Sequence, residues 1–218
     1  MIIAIDGPAG TGKGSVTKVL ADRLNFINVD TGAMYRCVAL YSLRNNVDLM
    51  NNVEIEEMFI NIKINFDKKD GLQKVYLNGE DVSLIIRTPE IDKKVAEVAT
   101  IQPIRKKMVD LMREVAEGKN VIMEGRDIGT AVFPNANVKI YLEAEVKERA
   151  RRRYKENREK NIECSFEKIM EDMIARDKSD LTKGGLRQAN DAILIDGTNM
   201  TVEETADEIE KIIKMKSK

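Results

Sequence analysis

Short apolar runs alternate along this chain with longer stretches whose apolar residues recur at helical spacing. The runs are Ile2–Ile5, Phe26–Val29, Val121–Met123, Val138–Leu142 and Ala192–Ile195. Unbroken runs of this length read as strands buried on both faces. Several end in or near an acid: Asp6, Asp30, Glu124, Glu143 and Asp196. Strands separated by helices predict an α/β fold, a five-stranded parallel sheet covered on both sides, with ligand at the strands' carboxyl ends. Met34 to Leu43 reads as a helix. Ile104, Met108, Leu111, Met112 and Val115 keep helical spacing until Gly118 ends it. Thr201-Val-Glu-Glu204 is a capping box opening a last helix with Val202, Ala206, Ile209 and Ile213 on one face.

Two segments break this rhythm. From Ile60 to Ile85 apolar residues alternate (Ile60, Ile62, Ile64, Phe66), turn through Asp67 to Gly71, and resume at Val75 and Leu77 before Asn78-Gly79. That pattern predicts a small antiparallel β insert between two strands of the main sheet. From Glu145 to Lys183 charge is dense, with Arg149, Arg151, Arg152, Arg153, Arg158, Arg176, Lys178 and Lys183. Phe166, Ile169, Met170, Met173 and Ile174 keep helical spacing there, so two helices forming a mobile arm are expected.

The chemistry begins after the first strand. Gly7-Pro8-Ala9-Gly10-Thr11-Gly12-Lys13-Gly14-Ser15 lies between a strand and a helix, the setting of a P-loop. Its glycines let backbone amides converge on phosphate oxygens, the helix dipole adds positive charge, and Lys13 supplies a full charge for the β- and γ-phosphates. Gly14 stands where Ser or Thr is commoner, and the hydroxyl follows at Ser15. This spacing is typical of small-molecule and nucleotide kinases rather than switch GTPases. It leaves open whether Ser15 meets Mg²⁺ directly.

Composition narrows the chemistry further. The 218 residues are 43% hydrophobic and 33% charged with a net charge of −1, so no global field points to nucleic acid or membrane. Histidine is absent, which removes imidazole bases, Ser-His nucleophiles and His-ligated metals. Catalysis must run on carboxylates, Lys, Arg and a hard cation. Cys37 and Cys164 lack ligand spacing and read as buried or idle thiols. The first strand begins at Met1 and no run has membrane-spanning length, so a cytoplasmic location is expected.

Four further pieces accompany the loop: Asp30-Thr31-Gly-Ala-Met-Tyr35-Arg36, Pro103-Ile-Arg105, Glu124-Gly-Arg126-Asp127-Ile-Gly-Thr130 and Arg176-Asp-Lys-Ser-Asp180-x-x-Lys183. A single surface arginine is usually just solvated. Arg36 and Arg126, both expected at strand carboxyl ends, imply a second anion held beside a triphosphate, as phosphoryl transfer requires. Glu124 is a Walker-B-like acid suited to orienting hydrated Mg²⁺.

With Ile86-Arg87-Thr88 and Arg149-Ala-x-Arg-Arg153, these motifs resemble the bacterial-type cytidylate kinases nearly end to end, β insert included. The resemblance implies a P-loop three-layer fold: a core of about 1–30, 86–144 and 184–218, a nucleoside-monophosphate region of about 31–85 with its insert at about 60–85, and a lid of about 145–183. It implies transfer of the γ-phosphate of ATP to CMP or dCMP with Mg²⁺, by a monomer with no membrane or polymer partner. Arg36 and Arg126 would hold the acceptor phosphate, with Thr31 and Tyr35 beside it. Arg105 and Asp127 would read cytosine, and Arg176 and Asp180 would meet the sugar. Arg149 and Arg153 would face ATP, while Lys13, Arg126, Arg176 and Lys183 would serve the transfer. Three departures accompany it: Ala96 for a serine that touches the base, Lys183 for an arginine, and a shorter Gly184-Gly185-Leu186 segment. The alternatives are a P-loop kinase for another nucleotide or a hydroxyl metabolite, using Asp30 or Asp127 as base, and a nucleotide switch. No DxxG or NKxD segment supports the switch.

Overall fold

The computed structural model describes residues 1–69, 72–159, 161–182 and 185–216. In chain order the elements are β1 (Ile2–Asp6), α1 (Lys13–Leu24), β2 (Ile27–Asp30), α2 (Thr31–Arg44), α3 (Asn52–Asn61), β3 (Ile64–Lys69), β4 (Leu72–Leu77) and β5 (Glu80–Asp81). There follow α4 (Pro89–Val98), α5 (Gln102–Ala116), β6 (Val121–Gly125), β7 (Val138–Glu143), α6 (Val146–Glu159), α7 (Phe166–Thr182), β8 (Ile193–Asp196) and α8 (Val202–Lys216). A 3-10 turn at Ile85–Arg87 and a wide π-helical turn at Ile128–Val132 complete the path. The chain divides into two units, Met1–Asn28 with Asn120–Lys218, and Val29–Lys119. Among the described residues no helix is long and apolar enough to cross a membrane.

The main sheet has the order β2-β6-β1-β7-β8, the five-stranded sheet that the apolar runs predict. β1 lies at its centre, parallel to β6 with Ile2 opposite Val121 and Asp6 opposite Gly125. It is also parallel to β7, with Ile3 opposite Val138 and Asp6 opposite Tyr141. A strand paired on both edges and covered on both faces has no solvent side, so Ile3, Ala4 and Ile5 are all fully buried. Ile3, Ile5, Val16, Leu20, Ile140, Leu142, Ile209 and Ile213 form one core between sheet and helices. The capping box forms as expected: the Thr201 amide donates to Glu204 at 2.8 Å, and the Glu204 amide donates to the Thr201 hydroxyl at 3.2 Å. The arm residues form α6 and α7, which pack through Ala150, Ile169 and Met173, with Tyr154 edge-on to Phe166.

In the second unit, α2 packs on α4 and α3 on α5. Asp30 caps α2 by accepting from the Ala33 amide at 2.9 Å. The antiparallel sheet β3-β4-β5 is the expected insert, but its start is corrected. Ile60 belongs to α3 and is exposed, Ile62 closes that helix, and β3 begins only at Ile64. The helix prevails because Asn51 caps the Val53 amide and because Ile55, Met58 and Ile62 share a buried face. That three-and-four spacing overlaps the alternating one, and capping decided between them. Asn78 and Gly79, with φ of 50° and 87°, make the tight turn into β5, while the Asp70-Gly71 turn lies outside the described residues. Cys37 is buried in α2 with its thiol pushed up to about 12 by burial, and Cys164 is half-buried; both are free.

Gly7 shows how tightly the loop leaves the sheet. Its φ is +150°, and a Cβ there would stand 2.0 Å from the Leu142 carbonyl oxygen of β7. Backbone cannot retreat as a flexible side chain would. Gly7→Ala is therefore expected to lower stability by about 3 kcal/mol or more, from combined strain and overlap. Urea unfolding with far-UV detection measures this, and a loss below about 1 kcal/mol would mean the sheet edge yields.

Candidate active site

Within the first unit, the loop after β1 delivers α1 with Gly12 as its N-cap. Gly12 has φ +95°, and no side chain caps the helix. The orphan amides of such an end, with the helix dipole, suit an anion. Lys13 follows and is buried, contrary to the usual place of a lysine. Its ammonium donates to the Pro8 carbonyl at 2.6 Å and to the Thr11 hydroxyl at 3.4 Å. Burial and the nearby Arg126 push its pKa down to about 7, Arg176 adds to this, and Glu124 and Asp6 oppose it. The buried ammonium thus sits within the field of two guanidinium groups, a setting in which a polyanion restores the balance. Gly14, the departure from the commoner Ser or Thr, has a local reason. A Cβ there would approach the Glu124 carboxylate to 3.0 Å. Glu124 at the end of β6 and the exposed Ser15 bring hard oxygen donors to the first turn of α1, a set compatible with Mg²⁺.

The segment after β6 carries Arg126 and Asp127. The Arg126 Nε donates to Asp180 of α7 at 3.0 Å, and its Nη1 to the Gly125 carbonyl at 3.3 Å. Asp127 lies close enough to Asp6 to raise that residue's pKa. Asp6 itself is buried and accepts from the Ile128 and Gly129 amides, each at 2.8 Å. Burial pushes its carboxyl up to about 6, against the lowering effect of those two amides. As one of several strand-terminal acids, Asp6 carries no distinguishing signal in the sequence.

The arm arginines separate into different environments. Arg149 is buried and donates to Ala144 O at 2.8 Å, to Ala9 O of the loop at 2.9 Å, and through both terminal nitrogens to Asp177. It holds the loop by a carbonyl and leaves its fork on a carboxylate. Arg153 is half exposed and pairs with Glu156. Arg152, to which the sequence assigned no site role, donates to Thr11 O at 3.3 Å, Gly197 O at 2.7 Å and Thr198 O at 3.1 Å. In a run of four arginines among five residues, only the helical phase and the loop positions distinguish them. Arg176 is exposed on α7, within electrostatic reach of Lys13. Lys183 and Gly184 lie outside the described residues.

The second unit holds the remaining candidates. Thr31 is buried and Tyr35 half-buried on the first turns of α2. Arg36 donates to the Ile86 carbonyl at 3.0 Å and pairs with Asp92 of α4. The 3-10 turn is fastened a second time by Arg87, which meets Asp30 at 2.8 Å. Asp30 therefore caps α2 with one oxygen and holds Arg87 with the other. Arg105 reaches the Ala99 carbonyl at 3.4 Å, and Ala96 is exposed on α4.

A family model described as cytidylate kinase matches residues 3–215. Cytidylate kinase of Lactobacillus johnsonii is 46% identical over all of this chain and 96% of its own length. Those of Fusobacterium nucleatum and Bacillus cereus are 45% and 43% identical, covering 98% and 97% of this chain and 97% and 95% of theirs. Among solved structures, shikimate kinase from Bacteroides thetaiotaomicron superposes with a TM-score of 0.52 at 14% identity over 98% of both chains. That likeness is one of fold. An uncharacterized protein from Eubacterium ventriosum gives 0.53 at 15%, again over 98% of both.

The two arm arginines make opposite predictions. Arg149→Ala strands the half-buried Asp177 and frees a loop carbonyl, and is expected to cost about 3 kcal/mol of stability. Arg153→Ala removes an exposed pair and should stay within about 0.5 kcal/mol. Paired urea titrations of the two variants measure this, and equal losses would contradict the anchoring role of Arg149.

Proposed function

The chain belongs to the cytidylate kinase family, and from that premise we propose that it transfers the γ-phosphoryl group of ATP to CMP or dCMP, giving CDP or dCDP. The observation that carries the reading is the buried Lys13 with Arg126 and Arg176 as electrostatic neighbours. Such a set calls for an anion of several charges, and phosphoryl transfer is served mainly by positioning and charge neutralisation.

The loop from Gly7 to Ser15 takes the ATP phosphates on its amides, and Lys13 turns from the Pro8 carbonyl to their oxygens. A phosphate restores the charge that burial disfavours, so the ammonium stays protonated through the transfer. Arg36 and Arg126 hold the acceptor phosphate, with Thr31 and Tyr35 beside it. Arg126 exchanges its bond to Asp180 for that phosphate, freeing Asp180, with Arg176, for the sugar. The acceptor phosphate is an ionised nucleophile, so no general base is needed, in keeping with a chain free of histidine. Arg105 and Asp127 read cytosine: a carboxylate accepts from its amine, where uracil presents an acceptor against an acceptor. Arg149 anchors the loop on the ATP side, Arg153 reaches ATP from α6 on arm closure, and Lys183 adds a cation to the transferring group. Ser15 and Glu124, the latter through water, would hold Mg²⁺, which would supply charge neutralisation to the phosphate oxygens. The enzyme acts as a cytoplasmic monomer. Its domain plan is a core, a nucleoside-monophosphate region of about 31–85 and a lid of about 145–183.

An ADP-release assay with CMP, dCMP, UMP and AMP side by side tests the acceptor. CMP and dCMP are expected to turn over fastest, and an equal response to AMP would overturn the assignment. Lys13→Met keeps the buried stem without the charge. It should lower kcat by on the order of 100-fold, the scale of losing one preorganised charge donor, with an unchanged melting midpoint. Retention of more than about a tenth of kcat would exclude Lys13 as the phosphate clamp. For Asp127→Ala, kcat/KM for CMP should fall by a factor worth roughly 1–3 kcal/mol while UMP changes little. Equal losses for both nucleotides would show that Asp127 does not read the base.

A further inference from the structure

Asp6 takes no part in these steps, yet it is among the most constrained polar groups of the first unit. It is 4% exposed at the carboxyl end of β1, the strand held on both edges. Each oxygen accepts one backbone amide, Ile128 on Oδ1 and Gly129 on Oδ2, both at 2.8 Å. Two consecutive amides converging on one carboxylate form a two-pronged clamp that an amide or hydroxyl side chain cannot reproduce, since either offers a single acceptor atom here. Gly129 makes the approach possible. A Cβ there would lie 3.3 Å from the Lys139 stem and 3.4 Å from the Asp6 oxygen. The clamped amides belong to the wide turn that directly follows Arg126 and Asp127.

We propose that Asp6 is a positioning residue for the acceptor nucleotide: by clamping the Ile128 and Gly129 amides to the fixed end of β1, it sets the backbone from which Arg126 and Asp127 extend. The proposal rests on the acceptor role assigned to those two residues above. Ionisation matters because a protonated carboxyl keeps one good acceptor and turns its O–H toward the other amide. The charged groups facing Asp6 are Asp127 from the turn, which raises its pKa, and Lys13 from the phosphate loop, which lowers it. Tyr141 of β7 stands opposite it and feels its charge, and the Lys139 stem of the same strand flanks Gly129. With burial as the largest influence, the clamp loosens as pH falls through about 6.

The test begins with the ligand-free wild-type protein, where no nucleotide phosphate titrates. The Ile128 and Gly129 amide resonances are expected to shift together with a midpoint near 6, and this titration should vanish in Asp6→Asn. Above that midpoint, Asp6→Asn should raise KM for CMP by about tenfold or more, since one buried amide loses its acceptor, and leave KM for ATP within about threefold. Absence of a shared amide titration in the wild type overturns the clamp, whether or not the variant folds. Equal rises in both KM values overturn it too, since Asp6 would then act on the phosphate loop through Lys13. Failure of the acceptor assignment shows differently: an unchanged CMP-to-UMP ratio in Asp127→Ala with the amide titration intact. That result removes the acceptor consequence and leaves the backbone clamp standing.

Discussion

A lysine ammonium held almost out of water, with two guanidinium groups as electrostatic neighbours, is the constraint on which the first unit depends. Burial and like charge both act against the protonated form of Lys13. The fold offsets this with the Pro8 carbonyl and with two acids placed at strand ends, Asp6 on β1 and Glu124 on β6. Those acids can be so placed only because β1 and β6 run parallel and in register, which aligns their carboxyl ends. Sheet topology and site electrostatics are thus one problem here. The residual positive charge is what the proposed polyphosphate substrate would neutralise.

Arginines in both units are held by carboxylates: Arg149 by Asp177, Arg126 by Asp180, Arg36 by Asp92 and Arg87 by Asp30. These pairs differ in depth. Arg149 is buried and also anchored by two carbonyls, so its pairing is structural. Arg126 and Asp180 are each about a quarter exposed, a setting in which an ion pair contributes little net stability and is readily exchanged. A phosphate dianion offers a guanidinium more charge than one carboxylate does, so the exchange proposed for Arg126 would cost correspondingly little.

The sheet, the arm helices and the phosphate loop were legible in the sequence because each is written locally. Apolar runs ending in acids marked the strands, Thr201 and Glu204 marked α8, and glycine spacing marked the loop. The β insert was legible in kind but not in its start, since two hydrophobic periods overlap around Ile60 and only the Asn51 cap separates them. Asp6 and Arg152 were visible in the sequence without a role, for another reason. Their partners are backbone groups more than a hundred residues away for Asp6, and both near and far for Arg152, and a backbone amide or carbonyl has no sequence signature. Arg153 shows the converse, a motif residue whose side chain meets Glu156 along its own helix.

The central position of β1 bears on how the chain comes into being. It precedes the other strands of its sheet along the chain, yet its two edge partners are β6 and β7, ending at Gly125 and Glu143. At about 5–20 residues per second, on the order of ten seconds separate the emergence of β1 from that of its second partner. The whole of Val29–Lys119 is made in between, as one continuous stretch with its own helices and hairpin. The second unit can therefore complete its contacts while Ile2 to Ile5, the most apolar segment of the first, still waits unpaired. A nascent chain of this topology passes through a stage in which the apolar β1 is complete and both of its edge partners are still missing, and any delay in producing residues 121–143 prolongs it.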